Sequence, residues 1–149
     1  MKINIRKAQK EDCPRILQLI NNLALYEKAP DEVTVSIEHF TESGFGKKPV
    51  WWAYIAEIDK QIQGFALYYI RYSTWKGQRM YLEDIYIEPD FRRYGIGAKL
   101  LDKLIEEGKE RNLKGMVWQV LDWNEPALNF YRKRNTKFDN EWINCSIDY

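Results

Sequence analysis

Residues 88–98 read Glu88-Pro89-Asp90-Phe91-Arg92-Arg93-Tyr94-Gly95-Ile96-Gly97-Ala98, a glycine-bearing turn between a strand-like run and an amphipathic helical run. Gly95 and Gly97 let the backbone approach a ligand without obstruction by a Cβ. The N–H groups from Tyr94 to Ala98 are the unpaired donors of a helix start, where the helix dipole adds positive potential. A diphosphate group suits such a place, and Arg92 and Arg93 add charge. The spacing departs from a dinucleotide fingerprint, because Leu100 stands where a third small residue belongs. A phosphate loop of the NTPase kind needs Gly-Lys-Ser/Thr, which is absent. The competing reading is a turn into a helix that binds nothing.

Just upstream, Leu82-Glu83-Asp84-Ile85-Tyr86-Ile87 sets two adjacent carboxylates in an otherwise apolar run. Strand alternation sends them to opposite faces, and a carboxylate inside a sheet is costly unless paired, hydrated or used. Either the pair faces solvent at a strand end, or one of them binds or deprotonates a cationic amine. Downstream, Asn124-Glu125-Pro126-Ala127 opens a short helix that carries Phe130 and Tyr131. The Tyr131 hydroxyl has the chemistry to protonate a departing thiolate. An amphipathic core tyrosine with a wet tip is the alternative.

The elements that must position these groups follow from periodicity. Lys2 to Lys7 alternates as a strand, and Asp12 is expected to cap a helix with Pro14 in its first turn. A shorter helix is expected over Ser36 to Glu42, before a Gly44-Phe45-Gly46 break. Trp51–Ile58 and Gln63–Tyr72 read as a hairpin joined through Asp59 to Gln61, and Met80–Ile87 as a third strand. Ile96, Leu100, Leu101, Leu104 and Ile105 mark one face of a helix from Gly95 to Arg111. Gly115–Leu121 and Trp142–Ile147 complete the expected strands. The fold class is α/β (α+β): a mixed, mostly antiparallel sheet with a central parallel pair of strands, flanked by helices on both faces.

The chain has 149 residues, the size of one domain, and no linker or repeat interrupts it, so a single domain over 1–149 is expected. With 23 Lys plus Arg against 22 Asp plus Glu, the balance gives no reason to expect a nucleic-acid or membrane partner. No signal-peptide pattern opens the sequence. Cys13 and Cys145 lack ligand spacing and His39 is the sole histidine, so no metal is expected. Two unpaired thiols fit a cytoplasmic setting.

Arg92-x-x-Gly95-x-Gly97 after a strand, with Asn124 and Phe130-Tyr131 one βα unit later, resembles the GNAT superfamily of N-acetyltransferases. Within it, Tyr26-Glu27, Gly64-Phe65-Ala66, Tyr81-Leu82-Glu83-Asp84 and Trp123-Asn124-Glu125-Pro126 look like the spermidine/spermine (diamine) acetyltransferases, in matching order over nearly the whole chain. Polyamine enzymes carry an acidic residue and a proline before Trp-x-Gly. Here Tyr72-Ser73-Thr74-Trp75-Lys76-Gly77 lacks that carboxylate and is more similar to the thialysine Nε-acetyltransferase branch. Asn135 stands where the family usually has glycine, and asparagine also tolerates a left-handed backbone. The chain ends at Tyr149, sooner than typical members.

The resemblance implies an acetyl-CoA-dependent N-acetyltransferase acting by direct attack of a small primary amine, thialysine- or lysine-like or a diamine or polyamine. Acetyl-CoA is expected against Ile85, Tyr86 and Ile87, with its diphosphate on Arg92, Arg93, Tyr94, Gly95, Ile96, Gly97 and Ala98, and further contacts from Asn124, Pro126, Ala127 and Tyr131. Glu83 is the expected base and Tyr131 the expected acid. Tyr26, Glu27, Glu83, Asp84 and Trp142 are expected to bind the amine. A homodimer is expected by resemblance alone. The rival expectations are a protein or peptide N-acetyltransferase and a non-catalytic acyl-CoA-binding regulatory module.

Overall fold

The computed structural model describes residues 1–149. The chain divides into two compact units, residues 1–119 and 120–149. The first holds strand β1 (Ile3–Lys7), helices α1 (Cys13–Tyr26) and α2 (Ile37–Phe45), strands β2 (Trp52–Ile58), β3 (Gln61–Ser73) and β4 (Gly77–Ile87), helix α3 (Ile96–Glu110) and strand β5 (Met116–Trp118). The second holds helix α4 (Glu125–Arg132). No helix is long and apolar enough to cross a membrane.

The strands form one five-stranded sheet in the order β1-β2-β3-β4-β5. The first three pairings are antiparallel and β4–β5 is parallel, as expected for two strands joined through a helix. Asp59 and Lys60, both at positive φ (48° and 70°), make the two-residue turn between β2 and β3; this backbone suits the twist of a tight hairpin.

One face of the sheet carries α1 and α2. Cys13, Ile16 and Leu19 of α1 and Phe40 of α2 are buried with Trp51, Ala53, Ile55, Phe65, Leu67 and Tyr86. Complete burial of a side chain such as Ile16 contributes roughly 1.5–3 kcal/mol. The other face carries α3, which buries Ile96, Leu100, Leu101 and Leu104. There the Tyr54 hydroxyl donates to Glu107 at 2.6 Å, and Arg111 of the α3 end donates to the Tyr68 hydroxyl at 3.1 Å.

The β3–β4 hairpin outruns its neighbours. β2 pairs with β3 only as far as Tyr68, and β5 pairs with β4 only over Met80–Leu82. Residues 71–73 and 77–79 therefore form an overhang beyond both ladders, tied on the β5 side by the Lys114 amide, which donates to the Gln78 carbonyl at 2.8 Å, and β4 starts earlier than the expected Met80.

Three expectations are corrected. Asp12 occupies the cap position of α1, but its backbone is already helical (φ −80°, ψ −15°) because a single 3₁₀ turn runs into the helix. Its buried carboxylate instead receives Arg6 at 2.8 and 3.1 Å and the Gln9 amide at 2.7 Å. Helix α2 continues through Gly44 to Phe45. A Cβ at Gly44 would lie 2.3 Å from the Trp51 ring, so this glycine serves close packing rather than a break. Residues 142–147 form no strand; Ile143 and Ile147 are exposed, and a strand without a ladder has nothing to stabilise it.

The buried Asp12 carboxylate is driven up by desolvation, yet the Arg6 and Gln9 hydrogen bonds outweigh this and hold it below the usual aspartate range. Asp12→Ala is expected to destabilise the fold by about 1–3 kcal/mol at neutral pH, since it removes two charge-assisted hydrogen bonds from Arg6 and leaves that guanidinium only Glu57 as an ion-pair partner, at 3.0 Å. Urea titration of both proteins checks this. The deficit should shrink in acid, where the aspartate's contribution is lost as pH falls through its depressed folded pKa.

Candidate active site

Strand β4 carries a bulge at the residues singled out in the sequence. Leu82 pairs with Tyr68 and Asp84 with Leu67, so Glu83 has no opposite number in β3. An extra residue of this kind breaks the alternation of side chains. Glu83 and Asp84 therefore do not behave as the opposite-facing pair that simple alternation implies. Their carboxylates repel each other, and Glu27 at the C-terminus of α1 joins them.

Burial, then the charges of Glu83 and Glu27, push Asp84 up to about 7. Burial and then Glu83 push Glu27 upward as well. The C-terminal end of α1 adds further negative potential. Three carboxylates held together at this cost make a site suited to a cation. Two tyrosines that sequence reasoning missed line the cluster. Tyr69 and Tyr81 stack across the strands with ring centres 5.0 Å apart. The Tyr69 hydroxyl, pushed up to about 12 by burial and then by the Glu83 charge, donates a hydrogen bond to Glu83. Their signal was faint: Tyr81 lies two residues before Glu83, and Tyr69 faces it only once register is known.

The bulge also ends the parallel ladder. β5 pairs with Met80, Tyr81 and Leu82 and no further, so the β5-side edge of β4 at Ile85, Tyr86 and Ile87 has no strand partner. Beyond Ile87, a single turn (Pro89–Phe91) leads into the expected glycine turn. Gly95 is the N-cap of α3 at φ 75°, with no side chain capping the helix. The Gly95 carbonyl accepts the Lys99 amide at 3.1 Å, so the amides of Ile96, Gly97 and Ala98 precede the first intrahelical bond. Arg93 (φ 71°), Tyr94 and Gly95 are exposed. This cradle of main-chain donors fits a diphosphate.

Arg92 and Tyr26 have structural company. The Arg92 Nε donates to the Ile87 carbonyl at 2.9 Å, and its guanidinium lies 5.1 Å from the Tyr26 ring centre and 5.4 Å from that of Tyr86. Asn22 of α1 donates to Glu88 at 2.8 Å. The turn is thus fastened to α1 and to the end of β4.

In the second unit, Asn124 caps α4 by accepting the Ala127 amide at 3.4 Å, with Pro126 in the first turn. Tyr131 is a buried residue of α4. Arg132 donates to Glu125 at 3.2 Å and to Asn129 at 2.7 Å. Asn135 is left-handed at φ 56°, as its residue type allows. Trp142 is exposed, its indole donating to Asp139 at 3.0 Å.

An acidic cluster suited to a cation, an open strand edge and a cradle suited to a diphosphate together make an arrangement that fits an acyltransferase. The model of the acetyltransferase (GNAT) family matches residues 15–135, and the chain belongs to that family. Thialysine N-epsilon-acetyltransferase of Bos taurus is 41% identical over 138 residues, covering 87% of this chain and 81% of that protein. The enzyme of the same name from Sus scrofa is 40% identical over 136 residues, covering 86% and 80%. Spermidine/spermine N(1)-acetyltransferase-like protein 1 of Homo sapiens is 35% identical over 137 residues, 87% of this chain but 20% of that protein. The chain is therefore an N-acetyltransferase whose sequence is akin to the thialysine branch. Among solved structures, an aminoglycoside acetyltransferase from an uncultured soil metagenomic sample superposes with a TM-score of 0.81 at 18% identity, covering 99% of this chain and 96% of that one. A predicted acetyltransferase with acetyl-CoA from Clostridium acetobutylicum gives 0.78 at 23%, covering 97% and 96%. These two speak for the fold.

The elevated Asp84 carries a pH signature. The folded chain keeps this proton from pH ~4 to about 7, while the unfolded chain releases it near 3.8, so this group makes stability fall as pH rises through that window. Asp84→Asn is expected to stabilise the protein by roughly 2–4 kcal/mol at pH 8 and far less at pH 4. Denaturant midpoints at the two pH values check it.

Proposed function

We propose that this N-acetyltransferase moves the acetyl group of acetyl-CoA onto the terminal amine of a lysine-like small molecule. The observation that carries the reading is the bulge-centred cluster of Glu27, Glu83 and Asp84 next to the unpaired edge of β4. The kinship to thialysine acetyltransferases supports the acceptor class. The Tyr72-Ser73-Thr74 segment supports it too, because it lacks the additional carboxylate that a polycation would favour.

Acetyl-CoA, when bound, supplies an activated acyl carbonyl. The amides of Ile96, Gly97 and Ala98 hold its diphosphate, with Arg93 and Tyr94 beside them. The edge of Ile85, Tyr86 and Ile87 offers main-chain groups to the pantetheine arm and donors to the acyl oxygen. An alkyl ammonium has a pKa near ~10.4 and is not nucleophilic at neutral pH. Glu27 and Asp84 draw it in, and Glu83, oriented by Tyr69, accepts its proton directly or through one water. Tyr131 carries the part of proton donor to the departing sulfur by resemblance, and Asn124, Pro126, Ala127 and Trp142 carry their binding parts on the same ground.

Thiol release from acetyl-CoA with thialysine tests the reading, and no release above background would sink it. Glu83→Gln is expected to lower kcat/KM about 10²-fold or more at pH 7, with partial recovery at high pH as free amine accumulates. A pH–rate profile matching the wild type would remove Glu83 as the base. Tyr131→Phe is expected to lower kcat by roughly 10²–10⁴. Calorimetry with acetyl-CoA should show its affinity retained.

A further inference from the structure

The overhanging end of the β3–β4 hairpin holds two arginines in direct register, Arg71 on β3 and Arg79 on β4. Like charges opposite each other across two strands are unfavourable. Neither is in a salt bridge, although Glu83 and Asp84 lie a few residues away along β4. The two differ in surroundings. The Arg79 Nε is buried without a hydrogen-bond partner, and its guanidinium lies 2.8 Å from where a Cβ on Gly115 would sit. Arg71 is exposed and leans back along the hairpin, its guanidinium 5.6 Å from the ring centre of Tyr81. It is near enough to the Tyr69 and Tyr81 hydroxyls to favour their ionised forms against burial and the Glu83 charge.

We infer that Arg71 is the specificity residue that receives the carboxylate of an amino-acid acceptor whose distal ammonium lies at Glu83. The inference rests on the lysine-like acceptor proposed above and adds the group that reads its other end. The groups are ordered along one face: the acidic cluster centred on Glu83, then the Tyr69–Tyr81 stack, then the positive Arg71. Tyr81, under the guanidinium, is two residues from Glu83 along β4, roughly 7 Å at the rise of an extended strand. The side-chain nitrogen and the carboxylate carbon of an extended lysine-like molecule are six bonds apart, also roughly 7 Å. The stacked rings between give the intervening methylenes an apolar floor. A lysine-like acceptor brings its carboxylate, with the α-ammonium on the same carbon, to the Arg71 end while its distal ammonium meets the acids. A diamine would bring only an ammonium there, with no carboxylate to offset the guanidinium. Arg71 is also planar and forked, the geometry that takes a carboxylate through two parallel hydrogen bonds.

The test compares thialysine with its decarboxylated counterpart, bis(aminoethyl) sulfide, by acetyl-CoA-dependent thiol release. In Arg71→Met, the preference for thialysine over the sulfide, as a ratio of kcat/KM, is expected to fall about tenfold or more. The loss should lie in the thialysine KM and not in kcat. Arg71→Lys should recover part of that preference, which a purely structural role would not predict. Circular dichroism and a thermal melt confirm that each variant is folded. A folded Arg71→Met protein with the wild-type preference overturns the inference while leaving amine acetylation intact. A wild-type protein that acetylates neither acceptor overturns both readings.

Discussion

A single residue inserted into β4 governs the arrangement of the site. Because Glu83 has no partner in β3, the side chains on either side of it lose strict alternation, and the carboxylates of Glu83 and Asp84 fall under each other's influence. The same irregularity coincides with the end of the parallel ladder at Leu82–Trp118, which leaves the rest of β4 with an open main-chain edge. An uninterrupted strand would have paired that edge and separated the acids. The bulge thus creates an acidic cluster and an exposed edge in one step, at the cost of ladder hydrogen bonds and of a carboxyl group held near neutrality.

Electrostatics then separate two ends of this stretch of chain. The acidic group gathers beside the C-terminus of α1, whereas the turn after β4 ends in a left-handed glycine and the positive start of α3. Arg92 lies between them, its cation spread over Tyr26 and Tyr86 and its Nε fixed to the Ile87 carbonyl. Aromatic packing and a main-chain acceptor hold this guanidinium in place, and it enters no ion pair.

What was legible in the sequence was what local rules decide. Pro14 near a helix start, Gly95 before α3, Asn124 before α4 and the apolar spacing of Ile96 to Leu104 all act within a turn or two of chain, and each element formed where expected. What was not legible depends on partners distant in sequence. The Glu83 bulge is defined only by its pairing with Leu67 and Tyr68, so simple alternation gave the wrong relation between two adjacent acids. Asp12 looked like a cap, but Arg6 and a preceding turn redirected its carboxylate. Gly44 looked like a break until Trp51 was seen against it. Residues 142–147 had strand-like composition but no ladder. The acids themselves could be named as candidates because charge in an apolar run is conspicuous; Tyr69, Tyr81 and Arg71 could not, because aromatic and basic residues near a hairpin tip are ordinary until register brings them to one face.

The overhang of the β3–β4 hairpin divides the molecule's labour mechanically. Glu83 is flanked by Leu82 and Asp84, which pair with β3, while Arg71 sits past the ends of the β2 and β5 ladders, the kind of segment that opens at lower free-energy cost than the sheet's middle. Exposed residues at that tip, Arg71 among them, can therefore be exchanged with little penalty to the fold. Selectivity for the far end of an acceptor is thus mounted on an adjustable outrigger, and the proton-handling groups on the hull.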